Sequence, residues 1–219
     1  MPFITVALLA ITLVALLSRD HDLSASQETV VSAELSLDDT VLEVFPDRIR
    51  LSHCSFATLS RPHDVRRAQE AFRVEGFVDA GHYAIDEIPD VCVALMVNRR
   101  DHMFAVVYDH ERAGVWAEID SRYMDGSRWI HSTLKSPNSE SRPGSTLISL
   151  PGVTVAELLA RARGDRPTEG LRPIHKLDVA PVFEQGYADW IEWRRSQNVR
   201  PGLRLVRGGL DDEDIRNAA

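Results

Sequence analysis

Two groups of side chains in this sequence have types suited to chemistry. The first is built on histidine: His102 and His110 flank an apolar run, with Asp109 and Glu111 beside the second, a set that would suit a metal ion or a general base. Spacing argues against one shared ion. If residues 102 to 109 form a strand, the imidazoles stand at its opposite ends, roughly 26 Å apart at ~3.3 Å per residue. His110, Glu111 and Arg112 read instead as a solvated hairpin turn. The second group is Tyr108, Trp116, Glu118, Trp129 and His131, in which amphipathic rings accompany one carboxylate and one imidazole. On one surface these five would form a ligand-binding patch, and they are the candidate site. A third set, Arg99, Arg100, Asp101 and His102 with Asp120, Arg122, Tyr123 and Asp125, converges at one end of the same sheet and reads as surface ion pairs.

These residues need strands to hold them. Four runs with period-2 alternation, about 91 to 98, 102 to 109, 115 to 120 and 127 to 133, are joined by short polar turns that include Asp125-Gly126. Connections this short allow only antiparallel neighbours, so the segment is a four-stranded meander, with 77 to 84 as a possible further strand. With paired residue numbers totalling about 200, 224 and 247 across the three hairpins, one face carries Val91, Val93, Leu95, Val97, Ala105, Val107, Val115, Ala117, Ile119 and Ile130. The other carries the five candidates with Cys92, Met96, Phe104, Val106 and Thr133. A one-residue slip in any strand exchanges its two faces.

Helical signals flank the meander. Asp64, then Val65, Ala68 and Phe72 up to Gly76, predict a helix over 64–75. Thr154 and Glu157 have capping-box spacing, with Val153 and Leu158 as the staple, and predict a helix over 155–163 ending at Gly164. Val179, Val182, Phe183, Tyr187, Trp190 and Ile191 form an apolar stripe that predicts a third helix opening near Asp178 and Pro181. One or two short strands are expected between 35 and 51, and a loop over 136–145. Helix, meander, helix, helix is an α+β order.

Of the 219 residues, 44% are hydrophobic and 26% charged, which is an ordinary globular composition. The net charge of −8 is confined to residues 20 to 47, where Asp20, Asp22, Glu28, Glu34, Asp38, Asp39, Glu43 and Asp47 meet no Lys or Arg. The remainder is balanced, which disfavours nucleic acid as a partner. Two cysteines, Cys54 and Cys92, exclude a disulfide framework and a four-cysteine zinc site. Residues 3 to 17 are uncharged, and the 18-residue stretch that contains them would be roughly 27 Å long as a helix, barely a bilayer span. The expected organisation is therefore a single-pass membrane anchor over 1–18, an acidic spacer over 19–37, one α+β domain over 38–207 and an acidic tail over 208–219. Arg19 after the span does not fix which side the domain occupies, and a cleaved signal segment is the alternative to the anchor.

No Gly-rich phosphate loop, nucleophile elbow, zinc-protease helix or calcium loop occurs. The residues imply no cofactor, no metal and no catalytic set. The expected function is a membrane-tethered binding or accessory domain without catalytic activity, its partner a small ligand or a protein. Two alternatives remain: a hydrolase or lyase with His131 as base oriented by Glu118, and an assembly protein acting through its last helix, with Trp190 and Trp193 on opposed sides.

Overall fold

The computed structural model describes residues 46–111, 113–135 and 142–198. The segments expected as anchor, spacer and tail lie outside the described residues, as do the ends of the expected domain. No described helix is long and apolar enough to cross a membrane.

The described chain is an α+β fold around one seven-stranded sheet whose strands lie in sequence order. They are β1 Leu51–His53, β2 Val78–Ile85, β3 Ile88–Asn98, β4 Met103–His110, β5 Gly114–Arg122, β6 Arg128–Ser132 and β7 Ser145–Ser149. All neighbours are antiparallel except β6 and β7, which run parallel. The meander predicted over 91–133 is thus the centre of a wider sheet. β7 was not predicted; its five residues bury only Leu147, too little alternation for a pattern to be seen.

The helices are α1 Pro62–Val74, α2 Val155–Asp165 and α3 Val179–Asn198. α1 starts two residues before the expected position because Pro62 occupies the first turn, where its missing N–H costs nothing. The chain entering it is anchored to the sheet: Asp109 Oδ2 accepts from Ser60 N at 2.5 Å and Arg61 N at 3.3 Å. α2 has its full capping box, but it runs through Gly164 to Asp165 and is capped at Arg166. There the Arg166 guanidinium donates to Ser121 Oγ at 2.8 Å and to the Asp101 carbonyl at 2.7 Å.

Helices cover both faces of the sheet. α1 and α2 pack on Ala94, Met96, Met103, Ala105, Val107, Ala117 and Ile119; α3 packs on Val91, Val93, Leu95, Val97, Phe104, Val106, Tyr108 and Trp116. These groupings correct two expected registers. Across β3 and β4 the pairs run from Val91↔His110 to Asn98↔Met103, a four-residue turn over 99–102 in which His102 takes φ 51°. Across β5 and β6 they run from Glu118↔Ser132 to Arg122↔Arg128, leaving a five-residue connection. That connection is closed by the Tyr123 amide on the Ser127 carbonyl at 3.0 Å and by Ser127 N donating to Asp125 Oδ1 at 2.9 Å. Only the middle hairpin, Met103↔Ser121 to His110↔Gly114, has the expected pairing. The odd-numbered residues of β3 therefore face α3, and Trp129 and His131 face α2.

Val107 is fully buried between the sheet and α1. Val107→Asp is expected to destabilise the domain by about 4 kcal/mol or more, because an unpaired carboxylate would have no donor in that layer. Met124→Ala, at a side chain 72% exposed, should stay within about 0.5 kcal/mol of the parent. Urea denaturation of the two variants checks both.

Candidate functional site

Even-numbered residues of β4 and β5 and their β6 partners form the face beneath α3, and its character changes along the strands. Near one end Tyr108 stacks on Trp116, ring centroids 4.8 Å apart and planes 8° from parallel. Next comes Glu118, whose Oε2 accepts from the Tyr108 hydroxyl at 3.2 Å. Beyond it Asp120 Oδ2 meets Arg128 Nη2 at 2.9 Å and Arg122 Nε at 3.5 Å. Arg122 also lies over the Phe104 ring at 5.7 Å and donates from Nη2 to the Val182 carbonyl at 2.9 Å. These charges are inside the protein: Glu118 and Asp120 are each 4% exposed.

α3 can lie this close because of Gly186. A β-carbon there would fall 2.6 Å from Arg122 Nη2 and 3.2 Å from Arg128 Nη1. The helix backbone itself roofs the two guanidiniums.

A cleft of about 130 Å³ opens from this cluster toward the 99–102 turn and the segment before α3, with Asp120, Arg122 and Phe104 as its floor, His102 and Arg172 at one side and Val182 at the other. A neighbouring slot of about 20 Å³ beside Tyr108, Glu118, Arg128 and Gly186 shares Phe104, Asp120 and Arg122 with it. Around these spaces Glu118 Oε1, Asp120 Oδ1, Arg122 Nε, Arg128 Nε and His102 Nδ1 are buried and make no hydrogen bond with any described protein group, Arg122 Nε having only its 3.5 Å ion pair. Each such group left dry would cost about 1–3 kcal/mol, so five around one cleft mark it as a place built for something polar.

The environment sets the protonation of the cluster. Burial pushes the Glu118 carboxyl up to about 7, against the opposing pull of the Ser132 hydroxyl, the Arg128 charge and the Tyr108 hydrogen bond; Asp120 adds to the rise. Tyr108 is held well above the ordinary phenol range by burial and then by Glu118. Burial lowers Arg122 to about 10, so it stays protonated at neutral pH.

Of the five sequence candidates, Tyr108, Trp116 and Glu118 lie together on this face. Trp116 is 4% exposed and packed in the core beneath α3, with Phe183 against Tyr108 at 6.2 Å. Trp129 and His131 lie across the sheet, their rings stacked at 6.5 Å. His131 Nε2 faces Asp165 Oδ2 at 3.5 Å, and burial lowers its pKa against the raising effect of Asp165. The Glu118 and His131 pair is not assembled. His110 is not a solvated turn residue either: it is 2% exposed and accepts from Ala113 N at 3.2 Å. Among the described residues no three His, Cys, Asp or Glu side chains are placed to hold a metal ion. Cys54 and Cys92 are free thiols, and burial beside Cys54 pushes Cys92 up to about 11.

No family model, curated protein or solved structure matches this chain.

Sequence reasoning assigned Asp120 and Arg122 to surface ion pairs; they are the buried floor of the cleft. The signal that could have found them was their parity with Trp116 on β5, which puts two charges on a face that an aromatic helix must cover. The surface role falls to Asp101, whose carboxylate meets Arg163 Nη2 at 2.7 Å.

Because the Glu118 pKa rises on folding from 4.5 to about 7, the folded state binds the extra proton between those values. Stability should therefore fall as pH rises through that window and level off above it, by up to about 3 kcal/mol. Glu118→Gln keeps an oxygen for Tyr108 but cannot ionise. Its urea midpoint should lose most of the difference between pH 5 and pH 8 shown by the parent protein, and at pH 8 it should be the more stable of the two.

Proposed function

We propose that this chain is a membrane-tethered binding domain, without catalytic activity of its own, that takes a small polar ligand into the cleft under α3. One observation carries the reading: charged residues of both signs, the buried Asp120 with Arg122, line a cleft that opens beneath α3, and polar atoms without a hydrogen-bond partner lie around it. A core charge cluster with no binding role would be expected to close on itself, since unsatisfied members make it worse than an apolar core. Binding is favoured over hydrolysis because no Ser, Thr, Cys or Lys is among the residues that line the cleft and slot, and His131, the base the sequence suggested, lies across the sheet from Glu118. The helix-mediated assembly role gains no support from Trp193, which is partly buried and packed on the α3-side core. The tether rests on the uncharged run over residues 3 to 17 and the acidic spacer after it.

Thermal unfolding of the full chain with panels of small carboxylates, phosphates, amines and neutral polyols tests the binding role. At least one class should raise the melting temperature by several degrees at saturating concentration, and Val182→Trp, which fills the cleft, should abolish the shift. No shift from any panel, or an equal shift in Val182→Trp, overturns the reading. Separately, the chain should sediment with membranes and lose that association when residues 1 to 19 are deleted. A mature N-terminus near Gln27 would replace the anchor with a cleaved signal segment.

A further inference from the structure

We propose that the ligand of this cleft is a small monocarboxylate, which enters as the anion together with one proton that comes to rest on Glu118. The inference rests on the binding role of the cleft and adds the chemistry of its occupant.

Charge balance carries it. Two guanidiniums, Arg122 and Arg128, share one carboxylate oxygen, Asp120 Oδ2. The fourth charged group on the face is Glu118, which is buried and accepts from the neutral Tyr108 hydroxyl, with the Ser132 hydroxyl close by. With Glu118 ionised, two negative groups balance two positive ones, and a further anion would leave an uncompensated charge away from water. With Glu118 protonated, the cluster has one positive charge in surplus, which one anion would neutralise. Burial holds Glu118 near neutral pH, so the exchange is within reach under ordinary conditions.

The surroundings of Glu118 offer no other compensating group. From β4 it meets Tyr108, from β5 Asp120, and from β6 Ser132 and Arg128, while Arg122 and, from α3, Tyr187 line the same slot. Of the nearby acids of α3, Asp189 pairs with Arg142 at 2.9 Å, a neutral pair that also feels the Arg122 charge, and Glu184 accepts from the Leu51 amide at 2.6 Å. At the mouth Arg172 and Asp178 both line the cleft and offset one another.

Three further features select a carboxylate. Arg122 lines both the cleft and the slot and Arg128 the slot, and a guanidinium edge matches the spacing of two carboxylate oxygens. A phosphate carries about −1.5 to −2 charges and would exceed the single surplus. A volume of about 130 Å³ suits a short acid, whose apolar end would meet Phe104, Ile174, Pro181 and Val182.

Titration calorimetry of the full chain with butyrate, inorganic phosphate and butylamine provides the test. Butyrate should bind, and at pH 8 the heats in two buffers of different ionisation enthalpy should give close to one proton taken up per butyrate. Its affinity should fall about tenfold from pH 8 to pH 9. Glu118→Gln should still bind butyrate, with no proton uptake and no dependence on pH over that range. Butyrate binding without proton uptake, or uptake that persists in Glu118→Gln, overturns the proposal. Binding of phosphate or butylamine alone, abolished by Val182→Trp, overturns the carboxylate assignment while leaving the cleft a binding site. Failure of all three probes, when the wider panels find a ligand, likewise defeats only the carboxylate assignment; silence from those panels too defeats both.

Discussion

A sheet covered on both faces leaves its strands no solvent side. All eight residues of β4 are buried, alternately against the α1 and α2 layer and against α3. Parity along each strand then decides more than inside or outside; it decides which of two interiors a side chain enters. The apolar groups are interchangeable in this respect, since Val107 and Val106 would each pack in either layer. The polar groups are not. Glu118, Asp120, Arg122 and Arg128 find one another only because the register of β4, β5 and β6 delivers them to the same interior. The cleft is a consequence of hairpin pairing before it is a consequence of any one residue.

The helix above that interior completes it by lacking a side chain. At Gly186 the α3 backbone approaches both guanidiniums more closely than any other residue type would allow, and the Val182 carbonyl accepts from Arg122 one turn earlier. Arg122 is therefore fixed from two directions, by Asp120 below and by α3 above, and Arg128 by Asp120, which leaves Arg128 Nε and the second oxygen of Asp120 uncommitted. Rigidly held donors that are not spent on the protein are what a binding site needs, because little ordering remains to be done when a ligand arrives.

The elements were legible where a local signal had its own mechanism. The capping box at Thr154 and Glu157 formed as its spacing requires, and the stripe from Val179 to Ile191 lies on the sheet along a helix that continues to Asn198. Alternation revealed the four central strands. It could not reveal their register, because that depends on how many residues each turn consumes, and turn length is set by local contacts that no period records. His102 accepts a left-handed conformation that the sequence does not advertise, and the Asp125-Gly126 signal sits inside a five-residue connection rather than a two-residue one. Each change flipped one strand. Tyr108 and Glu118 were rightly grouped because their hairpin was the one paired as expected, while Trp129 and His131 went to the far side with β6. Asp120 and Arg122 were missed because charged residues next to a turn look solvated unless the layer above them is known.

The lead into the domain has a mechanical meaning. Before β1 begins, the Pro46 carbonyl accepts the Tyr187 hydroxyl at 2.8 Å and Asp47 pairs with Arg195, and at its first residue the Leu51 amide is held by Glu184. All three partners are on α3, whereas β1 itself is a three-residue edge strand. Tension entering the chain ahead of Pro46 is thus delivered first to the helix that roofs the cleft, and only afterwards to the sheet. Pulling on that end would act as a lever on the roof, and anything that tightens the roof would stiffen the point where the domain is held.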